Sequence, residues 1–428
     1  MTPQSEFLVL ARLAPDKVAG LRALLAGMNA RPGLADPNNA LVPFGAFPAL
    51  HVARFVVLDD LTLGDLAAFG SSFPDAPLYL AFLGDCDGDP DRLLDEVAAR
   101  CDEGLKRIFG FCEGFSATTD LRRWMAERQV AASAGYVNTL GRTVVQAREE
   151  AVLRGALKSE LARAAAEGLA RPEALHARLR ARVLQSGPAL TPEQPTPLPW
   201  LLGHVGAFLL GALILLIAAP ILLVTAPLWL VILRRHETRD PEIATPYDRA
   251  RRRTIAQAED HDVTNPFTAI GAIKPGLFRL AIVRAVLWLL NFGNSQIYKR
   301  GRLARVGTIH FARWVVIDEG RRVLFCSNYD GSLDSYMDDF INKAAFGLNL
   351  VFSNGVGYPT TRFLLLGGAQ REEQFKTFLR RRQQATDVWY KAYPGLSAYD
   401  LYRNAEIRKG LEKPGLSGEA LHRWLALI

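Results

Sequence analysis

An α+β fold built from two copies of one unit, with an apolar helical segment inserted between them, is what this sequence predicts. Three observations carry the prediction. A chain of 428 residues exceeds what a single hydrophobic core usually organises. Two stretches of it repeat each other at fixed offsets. Between the repeats lies a block without Asp, Glu, Lys or Arg and with His204 as its one titratable group, long enough to meet a membrane.

The repeat is clearest when residues 82–114 are set against 325–357, an offset of 243. Phe82/Phe325, Asp87/Asp330, Gly88/Gly331, Asp91/Asp334, Asp95/Asp338 and Gly104/Gly347 are among the identical pairs. Upstream, at an offset of 259, HVARFVVLD at 51–59 matches HFARWVVID at 310–318. The 16-residue change of offset is a surplus in the first copy, placed between two strands where a loop can absorb it.

Apolar periodicity gives both copies the same order of elements. In the first, strands are expected at 7–13, 51–58, 77–83 and 106–111, with helices at 15–25 and 89–100. In the second, the strands become 267–273, 308–317, 322–327 and 348–353, and the helices 275–290 and 332–344. The order βαββαβ is that of ferredoxin-like modules, each a four-stranded antiparallel sheet with both helices on one face. The bare face of each sheet needs a cover, and the other copy supplies it in a dimeric α+β barrel-like pairing. The expected domains are module 1 at 1–118, a helical linker at 119–197, a membrane segment at 198–235, a basic linker at 236–262, module 2 at 263–360, and a helical, aromatic C-terminal extension at 361–428.

Residues 198–233 contain no Asp, Glu, Lys or Arg. A bilayer core takes about 20 helical residues to cross, so the block is long for one upright span and short for two. Pro220 and Pro227 permit a re-entrant hairpin bending near residue 220, or one tilted span. If the modules pair they share one side of the membrane, which favours the hairpin. Both flanks are basic, with Arg178, Arg180 and Arg182 before the block and Arg234, Arg235, Arg249 and Arg251 to Arg253 after it, which places both ends in the cytoplasm. Trp200 and Trp229 are candidate interfacial anchors. The helix at 275–290 is also strongly apolar; Arg279 and Arg284 are expected to snorkel, with Trp288 at the lipid boundary.

The net charge of +7 sits in clusters beside the apolar block, which points to anionic lipid headgroups and away from nucleic acid. The four cysteines show no metal or disulfide spacing, and residues 1–17 lack the pattern of a signal peptide.

The repeated His-x-Ala-Arg makes His51, Arg54, His310 and Arg313 the sharpest polar candidates. Alternation along a strand puts His and Arg on opposite faces unless a bulge intervenes. A hydrogen-bonded core histidine and an arginine paired internally with Asp95 or Asp338 are the plainer readings. Asp87 and Asp330, each before a glycine, read as caps at a strand-to-helix junction, and Asn328 lies beside the second. Asp91, Asp95, Asp334 and Asp338 recur at helical spacing as a solvated stripe. No motif for a nucleophile, phosphate loop or zinc protease occurs.

The segments TIHFARWVVID at 308–318 and SNYDGS at 327–332 resemble a family of uncharacterised bacterial membrane-associated proteins. More distantly, tandem ferredoxin-like modules are similar to the dye-decolorising peroxidase and chlorite dismutase group. The GDCDG run at 84–88 resembles the peroxidase GxxDG pattern. The first resemblance implies attachment at the bacterial inner membrane; the second implies haem, with His310 or His51 as its ligand. Two functions are therefore expected from the sequence. One is a membrane-anchored accessory protein on the cytoplasmic face, whose paired sheets bind an apolar or amphiphilic ligand from membrane lipid and present it to a redox or lipid-metabolising partner. The alternative is a haem-dependent oxidoreductase.

Overall fold

In the computed structural model, which describes residues 1–243, 249–296 and 306–428, the two repeats form two sheets that cover each other. The first half runs β1 (Gln4–Leu13), α1 (Val18–Ala26), the short strands β2 (Asn29–Arg31) and β3 (Gly33–Ala35), then β4 (Leu50–Leu58) and β5 (Leu78–Asp87). Helices α2 (Pro90–Arg100), α3 (Asp102–Phe109) and α4 (Leu121–Ala126) follow, and then β6 (Ala134–Val137). Helices α5 (Val144–Ala166), α6 (Pro172–Ser186), α7 (Leu198–Arg239) and α8 (Arg249–Gln257) lead to the second half. This comprises β7 (Thr264–Ala272), α9 (Leu277–Gln296), β8 (Ile309–Ile317), β9 (Arg322–Asp330) and α10 (Leu333–Phe352). After the short pair β10 (Thr361–Arg362) and β11 (Leu366–Gly367) come α11 (Glu372–Arg382), β12 (Val388–Lys391), α12 (Ala398–Glu412) and α13 (Gly418–Leu425).

One sheet has the order β1-β5-β4-β12-β3-β2 and the other β6-β8-β9-β7. Alternation sorts each strand into two faces. Phe7, Val9, Ala53, Phe55 and Phe82 pack under α1 to α4, while Leu8, Leu10, Val56, Leu58 and Leu83 face the second sheet. There they meet Ile270, Val315, Ile317, Leu324 and Cys326, so each sheet fills the other's bare face. The long loop between β4 and β5 absorbs the surplus residues of the first copy; β8 and β9 are joined by a tight turn at 318–321 instead.

The expected fourth strands are not strands. Residues 106–111 fall mostly in α3 and 348–353 mostly in α10. Leu105, Ile108, Phe109 and Cys112, all buried, recur at i, i+3, i+4 and i+7, which is helical spacing that a short apolar run hides. The fourth strand of each half comes from a segment expected to be helical, and it joins the other half's sheet. β6, from the presumed linker, pairs antiparallel with β8, Tyr136 facing Ala312. β12, from the C-terminal extension, pairs antiparallel with β4, Tyr390 facing Ala53, and parallel with β3. The boundaries at 119–197 and 361–428 therefore cut through the two folding units. α5, α6, α12 and α13 enclose a separate cluster including Leu153, Leu157, Ile407, Leu411 and Trp424.

Nor does the apolar block form a hairpin. α7 is one helix of 42 residues that passes through Pro220 and Pro227. Each proline removes a single backbone donor; the remaining bonds are best kept by continuing the helix, because the surrounding side chains offer no alternative acceptors. Thr225 Oγ1 donates to Ile221 O at 2.7 Å between the two prolines.

Arg54 and Arg313 cross between the sheets in opposite directions. Arg54 Nη1 donates to Phe267 O (2.9 Å) and Thr268 Oγ1 (3.0 Å), and its Nη2 to Ser327 O (2.9 Å). Arg313 Nη1 donates to Phe7 O (2.8 Å), and its Nη2 to Gly84 O (3.1 Å) and to the Asp85 carboxylate. The acceptors correspond through the repeat. The expected pairings with Asp95 and Asp338 do not form: those carboxylates bind Arg122 and Lys376 at the surface. Position 85 is an aspartate in the first copy, whereas its counterpart at 328 is an asparagine, so Arg54 is held by neutral acceptors and by the face of Trp389, 5.1 Å away. Burial pulls Arg54 down to about 10, which leaves it charged at neutral pH.

The two arginines therefore differ in what their loss exposes. Arg313→Met strands the buried Asp85 carboxylate and is expected to cost about 3–5 kcal/mol in denaturant unfolding of the detergent-solubilised protein. Arg54→Met leaves only neutral acceptors unpaired and is expected to cost clearly less. Equal costs would contradict the assigned pairing.

Candidate functional site

His51 and His310 are the second residues of β4 and β8, one in each copy. The register of β4 against β5 shifts between Leu50 and Val52, and that of β8 against β9 between Ile309 and Phe311. Each histidine is thus the extra residue of a bulge, which breaks the alternation that separates His from Arg and turns both toward the layer between the sheets. Asn328 Oδ1 closes the second bulge by accepting from Phe311 N at 2.8 Å.

Each histidine then meets the aspartate of its own repeat. His51 Nε2 lies 3.0 Å from Asp87 Oδ1, and His310 Nε2 lies 2.7 Å from Asp330 Oδ1. The second carboxylate oxygen of each aspartate accepts the first backbone N–H of a helix: Val144 N reaches Asp87 Oδ2 at 2.9 Å, and Ala398 N reaches Asp330 Oδ2 at 2.7 Å. Asp87 and Asp330 are caps, as the sequence suggested, but for α5 and α12 and not for the helices beside them. Those are capped by Asp89 and Ser332. α5 and α12 also carry their own capping boxes, Thr143 with Gln146 and Ser397 with Asp400, and a carboxylate at such an N-terminus is further favoured by the helix dipole.

The remaining partners differ between copies. His51 Nδ1 lies 3.1 Å from Tyr393 Oη, which comes from the segment after β12. Around His310, Thr264 Oγ1 donates to Asp330 Oδ1 (2.6 Å) and Lys391 Nζ donates to Thr264 Oγ1 (2.6 Å). Burial alone would raise the Asp330 carboxyl; His310, Thr264 and the Ala398 N–H together hold it below its ordinary value. Burial also pulls the Lys391 ammonium down, against Asp262 and Asp330.

Chemically these are relay-like chains, Tyr-His-Asp in the first copy and Lys-Thr-Asp-His in the second, but His51 and His310 are 1% and 3% exposed, and neither lines the two clefts at the surface. Both nitrogens of His51 are engaged, and Nε2 of His310 is shared between Asp330 and Thr264. His51 has no nitrogen left over, and His310 is buried with its Nε2 engaged and lines neither cleft, so the residues do not fit haem. Among the described residues no group of three or more His, Cys, Asp or Glu is placed to hold a metal. The clusters work as latches between each bulge and the helix that follows an exchanged strand.

An open cleft of about 1010 Å³ lies at the rim of the sheet pair. Leu10 and Tyr79 of the first sheet and Val316 and Ile317 of the second line its floor. Arg12, Arg128 and Arg284 face Glu113, Glu127 and Glu319 around it, and Trp288 forms part of the wall. Arg128 stacks on Trp124, 4.1 Å from the ring centroid. Glu319, at φ 58°, occupies the left-handed region in the tight turn between β8 and β9. A second cleft of about 630 Å³ is lined by charges of both signs, including Arg251, Arg252, Lys376 and Arg381 with Glu259, Asp260, Asp334 and Glu373.

The membrane candidates divide. α7 and α9 are both long and apolar enough to cross a bilayer, and α7 is barely covered by the rest of the protein. Trp200 stacks on His204, and Trp229 Nε1 donates to Thr225 Oγ1 at 3.0 Å. Arg284 and Trp288 are exposed on the outer side of α9. Arg279 does not snorkel: it is buried, pairing with Asp240 (2.7 Å) and Asn354 (3.1 Å), because its turn of α9 faces the chain that leaves α7. Trp389, Tyr390 and Tyr393 are buried against the sheet, whereas Tyr399 and Tyr402 are exposed.

Sequence reasoning missed Thr264, Lys391, Tyr393, Asp85 and every cleft residue of the first half. A third offset would have found part of this. At 254, Gln129/Gln383, Tyr136/Tyr390, Gly141/Gly395 and Thr143/Ser397 correspond, and Gln129 and Gln383 form matching bridges to β1 and β7. Comparison of the chain with known protein families, curated proteins and solved structures gives no match.

Because Asp330 is held low in the folded protein, its contribution to stability is full above the ordinary carboxylate range and is lost as pH falls through the folded value. Asp330→Asn is expected to cost about 1–3 kcal/mol at neutral pH. The gap to the parent should close below about pH 4. A gap independent of pH would show that the charge of Asp330 is not what the latch uses.

Proposed function

We propose that this chain is a membrane-attached accessory protein that holds an amphiphile in the cleft at the rim of its two sheets, for presentation to a redox or lipid-metabolising partner. The observation that carries the reading is the double role of α9. Arg284 and Trp288, one turn apart, line the cleft and also belong to the exposed apolar side of a helix long enough to meet lipid. An amphiphile leaving the bilayer along that side reaches the cleft without crossing water.

The cleft suits a zwitterionic headgroup. Arg12, Arg128 and Arg284 present cations and Glu113, Glu127 and Glu319 present carboxylates, while Leu10, Val316 and Trp288 offer apolar surface for a chain. The layer between the sheets is filled by Arg54, Arg313 and the apolar residues around them, which moves the ligand of the sequence reading from between the sheets to their edge. The paired ferredoxin-like modules act as its rigid support. The arginines at both ends of the apolar block favour the cytoplasmic face of a bacterial inner membrane, in keeping with the membrane-associated family that the sequence resembles.

Mass spectrometry of lipid extracted from the purified full chain tests this. Zwitterionic lipid is expected to co-purify near one per chain, and Trp288→Ala or Arg284→Glu to lower it several-fold without unfolding the protein. Lipid content unchanged by both variants would overturn the assignment of the cleft.

A further inference from the structure

α7 is held by the folded body at both ends and along its length. Before its first turn, the Met1 ammonium donates to Gln194 O (2.5 Å) and Thr196 Oγ1 (3.1 Å), and Glu149 accepts from Thr191 N (2.6 Å) and Oγ1 (2.7 Å). At its last turn, the buried Glu237 accepts from Thr361 Oγ1 (2.9 Å), Phe363 N (2.8 Å) and Leu364 N (2.9 Å). The next residues bring Asp240 to Lys274 (2.8 Å) and Arg279 (2.7 Å). In between, Phe208 stacks on Phe292 and Trp229 on Phe278, with centroids 6.1 and 5.6 Å apart. Gly211 lies so close to Phe292 that an added Cβ would come within 2.4 Å of the ring.

A helix that crosses a bilayer has its ends on opposite sides of it. Here contacts to the same folded chain hold both ends. We infer that α7 does not cross: it lies in the plane of the membrane, sunk into a single leaflet, and with the outer side of α9 forms the surface by which the protein rests on the bilayer. This placement rests on the membrane attachment proposed above.

Dimensions agree. The uncharged run 198–233 has 36 residues, about 54 Å along the axis. That is nearly twice the roughly 30 Å of a hydrocarbon core, so an upright helix would leave much of the run outside it. The helix is about 10–12 Å across, which fits the roughly 15 Å of one leaflet. Exposed side chains such as Leu202, Ile217, Ile221, Leu222, Phe208 and Leu223 are spread around its axis at about 100° per residue, so immersion removes far more of the circumference from water than contact on one face would. Arg235 and Arg239 are exposed at its C-terminal end, where anionic headgroups would meet them.

Cysteine labelling of the full chain reconstituted in sealed phospholipid vesicles tests the placement. The four native cysteines are buried and give little background. Glu193→Cys and Arg239→Cys lie on either side of the run 198–233, and both are expected to react with an impermeant maleimide from the same side. A fluorophore on Leu216→Cys, at the middle of the run, is expected to be quenched at least about twofold more by a spin label near the headgroup end of a lipid chain than by one at its terminus. Labelling from opposite sides, or stronger quenching by the deep label, overturns the in-plane placement while leaving attachment intact. Failure to float with the vesicles removes the attachment, and this placement with it.

Discussion

Two buried guanidinium groups set the terms for the rest of this structure. An arginine taken out of water must find acceptors for its donors, and Arg54 and Arg313 find them across the opposite sheet, chiefly on its main chain at Phe267 and Ser327 and at Phe7 and Gly84. Carbonyl groups do not slide, so the two sheets are fixed in one relative register. Apolar packing of Val56, Leu58, Val315 and Leu324 supplies the burial, but such residues tolerate displacement, and the arginines do not. Asp85 adds a formal charge to one side alone, which makes the pair chemically unequal although geometrically repeated.

The strand exchange follows the same logic from another direction. Each half leaves one edge of its three long strands open, and an open edge is a row of unpaired donors and acceptors. β6 and β12 close those edges across the halves. The latches then fasten the chain just beyond: Asp87 holds the start of α5 and Asp330 the start of α12, each oriented by a histidine that only a bulge could bring to that face. The halves are therefore bound by pairing, charge and capping at once, and buried side chains fill the layer between them.

That filled interior is why the surface carries the functional reading. α9 must cover its own sheet with Val283 and Leu287 while leaving Leu289, Trp288 and Arg284 outside. α7 shields only a small part of that exposed side, through Gly211 and the aromatic stacks. The cleft at the rim adjoins the same helix. On the proposed reading, lipid contact and ligand entry share that one element.

Much of this was legible in the residues themselves. The repeats at 51–59 and 310–318 announced two copies; alternation located three strands in each; the charge-free run at 198–233 marked the apolar helix. His51, Arg54, Asp87 and their counterparts stood out as polar residues kept at matched positions in apolar surroundings. All these signals are local, and local spacing is what a sequence records directly. What it could not record is which chain segment closes a sheet edge, since four-residue strands such as β6 and β12 have too little pattern to outweigh their helical surroundings. It also could not show the bulges, because one extra residue changes the face of a side chain without changing composition. Only tertiary structure decided that the arginines reach across, that the histidines lock helix starts, and that α7 passes through its prolines, because each outcome depends on partners brought together from residues far apart in the chain.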